Sequence, residues 1–318
     1  MGNKDFSTLY FGKLPDFSDF IRYNASGNDV LVFDQWLQQG LHSAKTQLNL
    51  EWNSAFENAP AYKFLFAPDS QPSLVGIWQP SRDSAGRKFP FVIAMRVDRQ
   101  KFNERIDNLI PVIFDQFFNE SRQLIQNAVN GLDLERITAR TKSLSGPYMN
   151  DRRYKTYLSN TTVENFCTNL WGSFNNKKKY LLMTNLTEIL LPLRKQDTSR
   201  FSLGLKFPLC TDHQLLGFNT SFWLEISMRL VGKSITTPFF FWTLPEAGES
   251  GNLFLFFRLP SAKNFVNLIQ GDLENDNICE LDQEGLENID SVIKYLSNQY
   301  RSLIDTGNMT LDQFLQRL

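Results

Sequence analysis

The sequence predicts an α/β (α+β) protein with a largely antiparallel sheet covered by helices, and three observations predict it. The runs Ser73–Trp78, Phe89–Met95, Pro238–Leu244 and Asn252–Leu259 are almost wholly apolar, so strands built from them need cover on both faces. They fall into two sequence-adjacent pairs joined by turn-rich segments, which suits antiparallel hairpins. Around them lie segments whose apolar residues recur at spacings of three and four, as in helices with one buried side.

The totals set the limits. A chain of 318 residues can bury a large core without a disulfide or metal to hold it. The three cysteines, Cys167, Cys210 and Cys279, are odd in number and far apart, which reads as reduced thiols in a cytosolic protein and excludes a CxxC site. Thirty-three basic residues against thirty-four acidic ones give a net charge of -1, so no global field favours nucleic acid or an anionic membrane. The first residues lack the apolar stretch of a signal peptide, and no run reaches the ~18 apolar residues of a membrane span. Met1-Gly2-Asn3 resembles a myristoylation start without the Ser or Thr that pattern needs at position 6.

Taken in order, Thr8–Arg22 begins as a short aromatic strand, turns at Gly12 and Pro15-Asp16, and offers Phe17, Phe20 and Ile21 as anchors. Asn28–Leu41 carries Val30, Phe33, Leu37 and Leu41 on one stripe beside Trp36, a helix expected to end near Gly40, with His42 just beyond it. Leu48, Trp52 and Phe56 mark a short second helix closed by Pro60, and Tyr62–Phe66 is a strand. A turn at Pro68–Pro72 leads to Ser73–Trp78, the polar loop Pro80–Lys88 and the strand Phe89–Met95, after which Arg96, Asp98 and Arg99 resurface. Asn103–Phe118 is a helix that Pro111 kinks or divides, followed by a polar helix over Ser121–Asn130 to Gly131. Residues 1–131 thus form a first unit, 132–165 a connecting segment and 166–318 a second unit packed on the first.

In the connecting segment Tyr148, Tyr154 and Tyr157 interleave with Arg152, Arg153 and Lys155, read as a basic surface and not a base-stacking platform, because no nucleic-acid module surrounds them. Tyr180–Met183, Glu188–Pro192 and Phe201–Pro208 read as strands, and Ser221–Leu230 as a strand or a helix. The clearest hairpin joins Pro238–Leu244, which contains Trp242, to Asn252–Leu259 through PEAGESG. Ser261 caps a helix with Phe265, Leu268 and Ile269 inward and Gly271 at its end. Gly271–Asp290 reads as an acidic loop with eight carboxylates, and Asn288–Asp305 and Thr310–Leu318 as terminal helices, the last capped by Thr310.

The chemistry-bearing patterns are missing from the sequence. There is no GxxxxGK[ST], GxGxxG or GxSxG, and His42 and His213 stand alone without ligand spacing. Asp16 and Asp19 in PDFSDF, with Asp83, would make a carboxylate site only if the fold brought them together. The simpler roles are turn capping by Asp16 and Asp83 and an ion pair or backbone tether between Asp83 and Arg87. DLENDNICELDQE, which includes Asp282, lacks the calcium-loop ligand order.

Four stretches of the first unit resemble the TagF (ImpM) family of type VI secretion accessory proteins. FGKLPDFSDFI at Phe11–Ile21 resembles its opening signature through Gly12, Lys13, Leu14, Pro15, Asp19 and Phe20. FDQWLQQGL and APAYKFLF resemble its first helix and next strand. PSRDSAGRKFPF at Pro80–Phe91 is the most specific, matching through Pro80, Ser81, Asp83, Gly86, Arg87, Phe89 and Pro90. Phe239–Gly271 is similar to the aromatic ending of the family, whereas 132–234 matches only loosely, and Ser18 replaces a usual Gly.

The resemblance implies a non-enzymatic cytoplasmic regulator. Such a protein restrains secretion-system assembly or firing by protein binding, with a forkhead-associated scaffold protein as candidate partner and no cofactor. It makes Lys13, Asp16, Asp19, Ser81, Asp83, Gly86 and Arg87 candidates for a partner surface or for locking the loop that displays it. Phe20, Trp36, Trp78, Phe89 and Trp242 are the expected core anchors, and the N-terminal unit is expected to be similar to longin or profilin scaffolds. The competing readings are a metal-dependent, carboxylate-based hydrolase or phosphatase, and a structural subunit of the secretion apparatus.

Overall fold

The computed structural model describes residues 6–68, 72–98, 106–232, 237–245, 248–271, 273, 277–283 and 289–318. Outside them lie Met1-Gly2-Asn3, most of the turn at 69–71, Arg99, the 103–105 start of the expected helix, Glu246, and Asp272, Glu274, Asp276, Glu284 and Glu287 of the acidic stretch.

The described strands form one sheet: β1 (Ser7–Gly12), β2 (Ile21–Tyr23), β3 (Ala61–Phe66), β4 (Ser73–Gln79), β5 (Phe91–Val97), β6 (Gly204–Leu209), β7 (Phe239–Leu244), β8 (Gly251–Phe256) and β9 (Ile278–Glu280). Their order is β2-β1-β5-β4-β3-β7-β8-β6-β9, with only the β6/β9 pair parallel. The join between the two halves is β3 against β7, where Lys63 faces Trp242 and Phe64 faces Phe241. The sheet is therefore continuous from the first strands to the last, and both its faces are buried.

On one face Leu9, Phe11, Phe64, Phe66, Trp78, Val92, Phe241 and Phe254 pack beneath α1 (Asn28–Leu48), α2 (Trp52–Asn58) and α10 (Ala262–Ile269). On the other, Tyr10, Leu65, Ile77, Ile93, Phe240, Trp242 and Leu255 pack beneath a thicker helical layer. That layer contains α3 (Ile110–Ile113), α4 (Asp115–Val129), α5 (Leu134–Lys142), α6 (Arg152–Asn160), α7 (Val163–Trp171), α8 (Lys178–Leu190), α9 (Leu216–Val231), α11 (Ile289–Val292), α12 (Asn298–Asp305) and α13 (Leu311–Arg317). The strict alternation of side chains along each strand assigns neighbouring residues to opposite cores.

Several expectations are corrected. Helix α1 does not end at Gly40 but runs to Leu48, so His42 is mid-helix. Gly40 is there for close approach: a Cβ on it would lie 2.4 Å from Cγ of Phe265 on α10. Pro111 stands in the first turn of α3, where its missing N–H costs nothing, and the chain divides at Phe114, after which α4 is unbroken. Tyr180–Met183 and Glu188–Pro192 are not strands. Residues 178–190 are one helix, buried at Leu181, Leu182, Met183, Leu186 and Leu190 because it is wedged between α9 and α12, and an enclosed helix loses the polar stripe that would have revealed it.

Ser221–Leu230 is likewise helical, within α9. The segment 132–165 holds α5, α6 and the start of α7, and Tyr154 and Tyr157 are buried along with Leu158. The acidic stretch is not all loop, since Ile278–Glu280 extends the sheet. The Asn288–Asp305 helix is interrupted by a 3-10 turn at Ile293–Tyr295 and an extended Leu296. Arg96 does not resurface: its side chain is folded onto Asp29 at 2.6 Å and onto the carbonyls of Asn24 and Ser26. Phe20 is not a core anchor but 41 % exposed, lying against Phe11 and Phe89 at the surface. The strand after the polar loop starts at Phe91, because Phe89 N–H is spent on the Ser81 carbonyl and Pro90 has no donor.

Candidate functional site

The loop Pro80–Lys88 leaves β4 and folds back to deliver β5. Arg82 and Lys88 pair across its neck, Asp83 N–H donates to the Arg87 carbonyl, and Gly86 N–H donates to the Asp83 carbonyl. Gly86 has φ +79, so the tip needs a left-handed residue, and open space around it means conformation alone selects glycine there. The neck is also held from α2, since the Lys88 ammonium donates to the Asn53 carbonyl and to Glu57 at 2.8 Å. That hydrogen bond is the main cause holding the Glu57 carboxyl below its ordinary range.

Asp83 is the centre of the loop and is only 2 % exposed. Its Oδ1 accepts from the backbone N–H groups of Ala85 (3.1 Å) and Arg87 (2.8 Å). Its Oδ2 accepts from Arg87 Nε (2.7 Å) and Lys13 Nζ (2.9 Å). Burial alone would raise its pKa. Hydrogen bonds from Lys13 and from the backbone and side chain of Arg87 outweigh it and hold the carboxyl well below the usual range. Four donors fill the lone pairs of a carboxylate, so this group has no acceptor capacity left for a proton in transit or a metal ion.

The same arrangement clamps a second loop. Arg87 Nη2 donates to the Ser18 carbonyl at 2.6 Å, and Ser84 N–H donates to the Phe17 carbonyl at 2.9 Å. The 13–18 segment can lie this close because Gly12 has φ +133 and no Cβ, which would sit 2.2 Å from the Pro90 carbonyl oxygen. Of the sequence-predicted residues, the fold therefore brings together Lys13, Asp83 and Arg87, with Gly86 shaping the tip. Ser81 contributes its backbone carbonyl, while its hydroxyl is buried without a partner. Asp16 and Asp19 are exposed and contribute nothing to the clamp. The exposed face consists of Arg82, Ser84, Ala85 and Arg87 from one loop and Ser18, Asp19 and Phe20 from the other.

Among the described residues no group of three or more His, Cys, Asp or Glu is placed to hold a metal. The three cysteines are free, and burial pushes Cys167 up to about 12 and Cys210 up to about 11, far from a reactive thiolate. Among the described residues no helix is long and apolar enough to cross a membrane.

Residues 9–144 match the TagF N-terminal domain, a type VI secretion system-associated family. The TagF-like region contains both clamped loops and the five strands up to β5. Among solved structures, the chain is similar to PA0076 from Pseudomonas aeruginosa PAO1, solved at 2.05 Å resolution, with 16 % identity over 85 % of this chain and 96 % of that one and a TM-score of 0.52. At that identity the likeness is one of fold, and it extends well past the TagF-like region. No curated protein matches the chain.

Sequence reasoning missed a second cluster, the buried Lys63 with Arg122, Arg153 and His213 around a cavity. Its only sequence signal is a lysine inside AYKFLF, an otherwise apolar strand.

Proposed function

We propose that the protein is a non-enzymatic, cytoplasmic regulator of type VI secretion that restrains assembly or firing by binding a protein component of the system. The observation that carries this reading is the TagF match over 9–144, which spans the two loops whose charged interior is used up in holding them together. A carboxylate saturated by four donors supports a role in display and speaks against the hydrolase reading. The displayed face, with Arg82, Ser84, Arg87, Asp19 and Phe20, combines charge with one exposed aromatic ring, the make-up of a protein-binding patch. A forkhead-associated scaffold protein is the candidate partner.

The test is affinity purification with mass spectrometry from type VI-competent cells, comparing wild type with Phe20→Ala/Arg82→Glu and, separately, Arg87→Met. The face variant should fold normally and lose the captured secretion component; Arg87→Met should lose it through a loosened loop. Equal capture by all three proteins contradicts the assignment of this face. Failure of the folded wild type to capture any secretion component contradicts the regulatory reading itself.

A further inference from the structure

The helical layer and the sheet enclose a cavity of about 330 Å³ with Lys63 on its wall, lined also by Arg122, Arg153 and His213 and by the apolar Pro111, Val112, Leu216, Phe218 and Leu244. It is built jointly by the TagF-like region, which supplies Lys63, Asp115 and Arg122, and by the rest of the chain, which supplies Arg153, His213 and the start of α9.

Lys63 is 7 % exposed, and its treatment by the fold differs from that of the other buried lysines. Lys206 pairs with Glu280 at 3.0 Å and donates to the Gly271 carbonyl. Lys179 pairs with Asp305 at 3.5 Å and donates to the Ile304 carbonyl. Among the described residues Lys63 Nζ makes no such pair: it lies over the face of the Phe118 ring, 5.2 Å from its centroid, with the Asp115 carboxylate acting on it only as a nearby charge. Among the described residues neither it nor Arg122 has a carboxylate or carbonyl partner within bonding distance, and a buried ammonium without one is costly. Asp115, the acid in the cavity wall, is engaged by Arg153 at 3.3 Å and by Asn119.

The start of α9 adds to this. The helix is sixteen residues long, no side chain caps it, and its first residues Leu216, Gly217 and Phe218 line the cavity. An uncapped first turn leaves its backbone N–H groups without a side-chain acceptor, while the Asp212 carboxylate just upstream, which accepts from Gln214 N–H at 2.8 Å, offsets part of the positive end of the helix dipole. Gly217 lets that turn approach α3, since a Cβ there would lie 3.0 Å from the Pro111 carbonyl oxygen. Among the described residues, two cations without a hydrogen-bonded acid, Lys63 and Arg122, meet an uncapped helix N-terminus at a space at the small end of ligand-site volumes; Arg153 at the rim is paired with Asp115, and an apolar wall lies beside them.

We propose that this cavity is a binding site for a small phosphate-bearing anion, with Lys63 and Arg122 on the phosphoryl oxygens, the α9 N-terminus completing the cradle, and Leu216, Phe218 and Leu244 against the organic part. Free phosphate and the phosphate of a small ester share this chemistry. The desolvation that lowers Lys63 to about 8, moderated by Asp115 and deepened by Arg122, would be offset by a bound dianion, so binding near pH 8.5 should draw a proton onto Lys63.

The experiment is calorimetry and thermal melting of the full chain with inorganic phosphate, phenyl phosphate and, as neutral control, phenol, at fixed ionic strength. Phenyl phosphate should bind saturably and raise the melting temperature, with phenol inert. Tighter binding of phenyl phosphate than of phosphate assigns the site to an ester, and equal binding assigns it to free phosphate. Lys63→Met and Arg122→Gln should each weaken binding tenfold or more. Lys63→Met replaces a desolvated charge by an isosteric apolar chain, so its melting temperature without ligand should be at least that of wild type. Calorimetry at pH 8.5 in two buffers of different ionisation enthalpy should show proton uptake in wild type and none in Lys63→Met. Absence of saturable binding by both anions, or undiminished binding in both variants, overturns the proposal.

Discussion

Replacing Trp36 tests whether the two halves of the chain stand or fall together. Trp36 belongs to α1 and is 3 % exposed, yet many of its contacts come from the second half. Its Nε1 donates to the Pro260 carbonyl at 2.8 Å, it stacks on Phe241 of β7 with centroids 5.2 Å apart, and it meets Phe265 of α10 edge-on at 5.3 Å. Burying an aromatic side chain of ~200 Å² at ~25 cal/mol per Å² stabilises by about 5 kcal/mol. Trp36→Ala should therefore cost about 4 kcal/mol, within the range for large aromatic truncations. Trp36→Phe keeps most ring contacts but leaves the buried Pro260 carbonyl unpaired, for a loss of about 2 kcal/mol. Urea unfolding followed by far-UV circular dichroism and by the fluorescence of the remaining tryptophans, which lie in both halves, measures both. The expected result is one transition, displaced equally for both probes. Two separated transitions, only the earlier moved by Trp36→Ala, or a loss under about 1 kcal/mol, would refute the reasoning.

The glycines of the clamped loops separate two kinds of constraint. Gly12→Ala combines a positive φ with a clash against the Pro90 carbonyl and should cost about 3 kcal/mol in urea unfolding, whereas Gly86→Ala meets no atom and should cost only the ~1–2 kcal/mol of a left-handed backbone. For Asp83 the folded carboxyl lies below its unfolded value of 3.8, so its contribution is fully present above that value and is lost as pH falls beneath it; the stability gap between wild type and Asp83→Asn should be flat near neutrality and shrink on acidification. For Lys63 the sign is opposite. Between about 8 and 10.5 the unfolded chain holds a proton that the folded one has lost, so stability should rise with pH by about 3 kcal/mol in wild type relative to Lys63→Met, read by urea midpoints across that range.

Features that depend on near neighbours were legible in the sequence. The almost wholly apolar runs of β7 and β8 and the turn between them specify a pair covered on both faces, and the helix caps at Ser261 and Thr310 are local by construction. The four-residue spacing of Asp83 and Arg87 announced their contact, because a turn of that length closes on itself. What escaped depended on partners distant in the chain. Gly40 reads as a helix stop until Phe265 is placed over it, and α8 reads as strands until its place between α9 and α12 is known. Lys63 reads as one tolerated polar residue in a strand, because nothing near it in sequence says that β7, α4 and α9 will close around it. The same holds for the reach of Arg87 to Ser18 across sixty-nine residues, which no spacing rule encodes.

The measurement that bears most directly on the regulatory account is the side-by-side capture experiment in type VI-competent cells. Wild type should return a secretion-system protein, and the folded Phe20→Ala/Arg82→Glu variant should return it at a small fraction of that yield. A folded wild type that captures no secretion component would contradict the account.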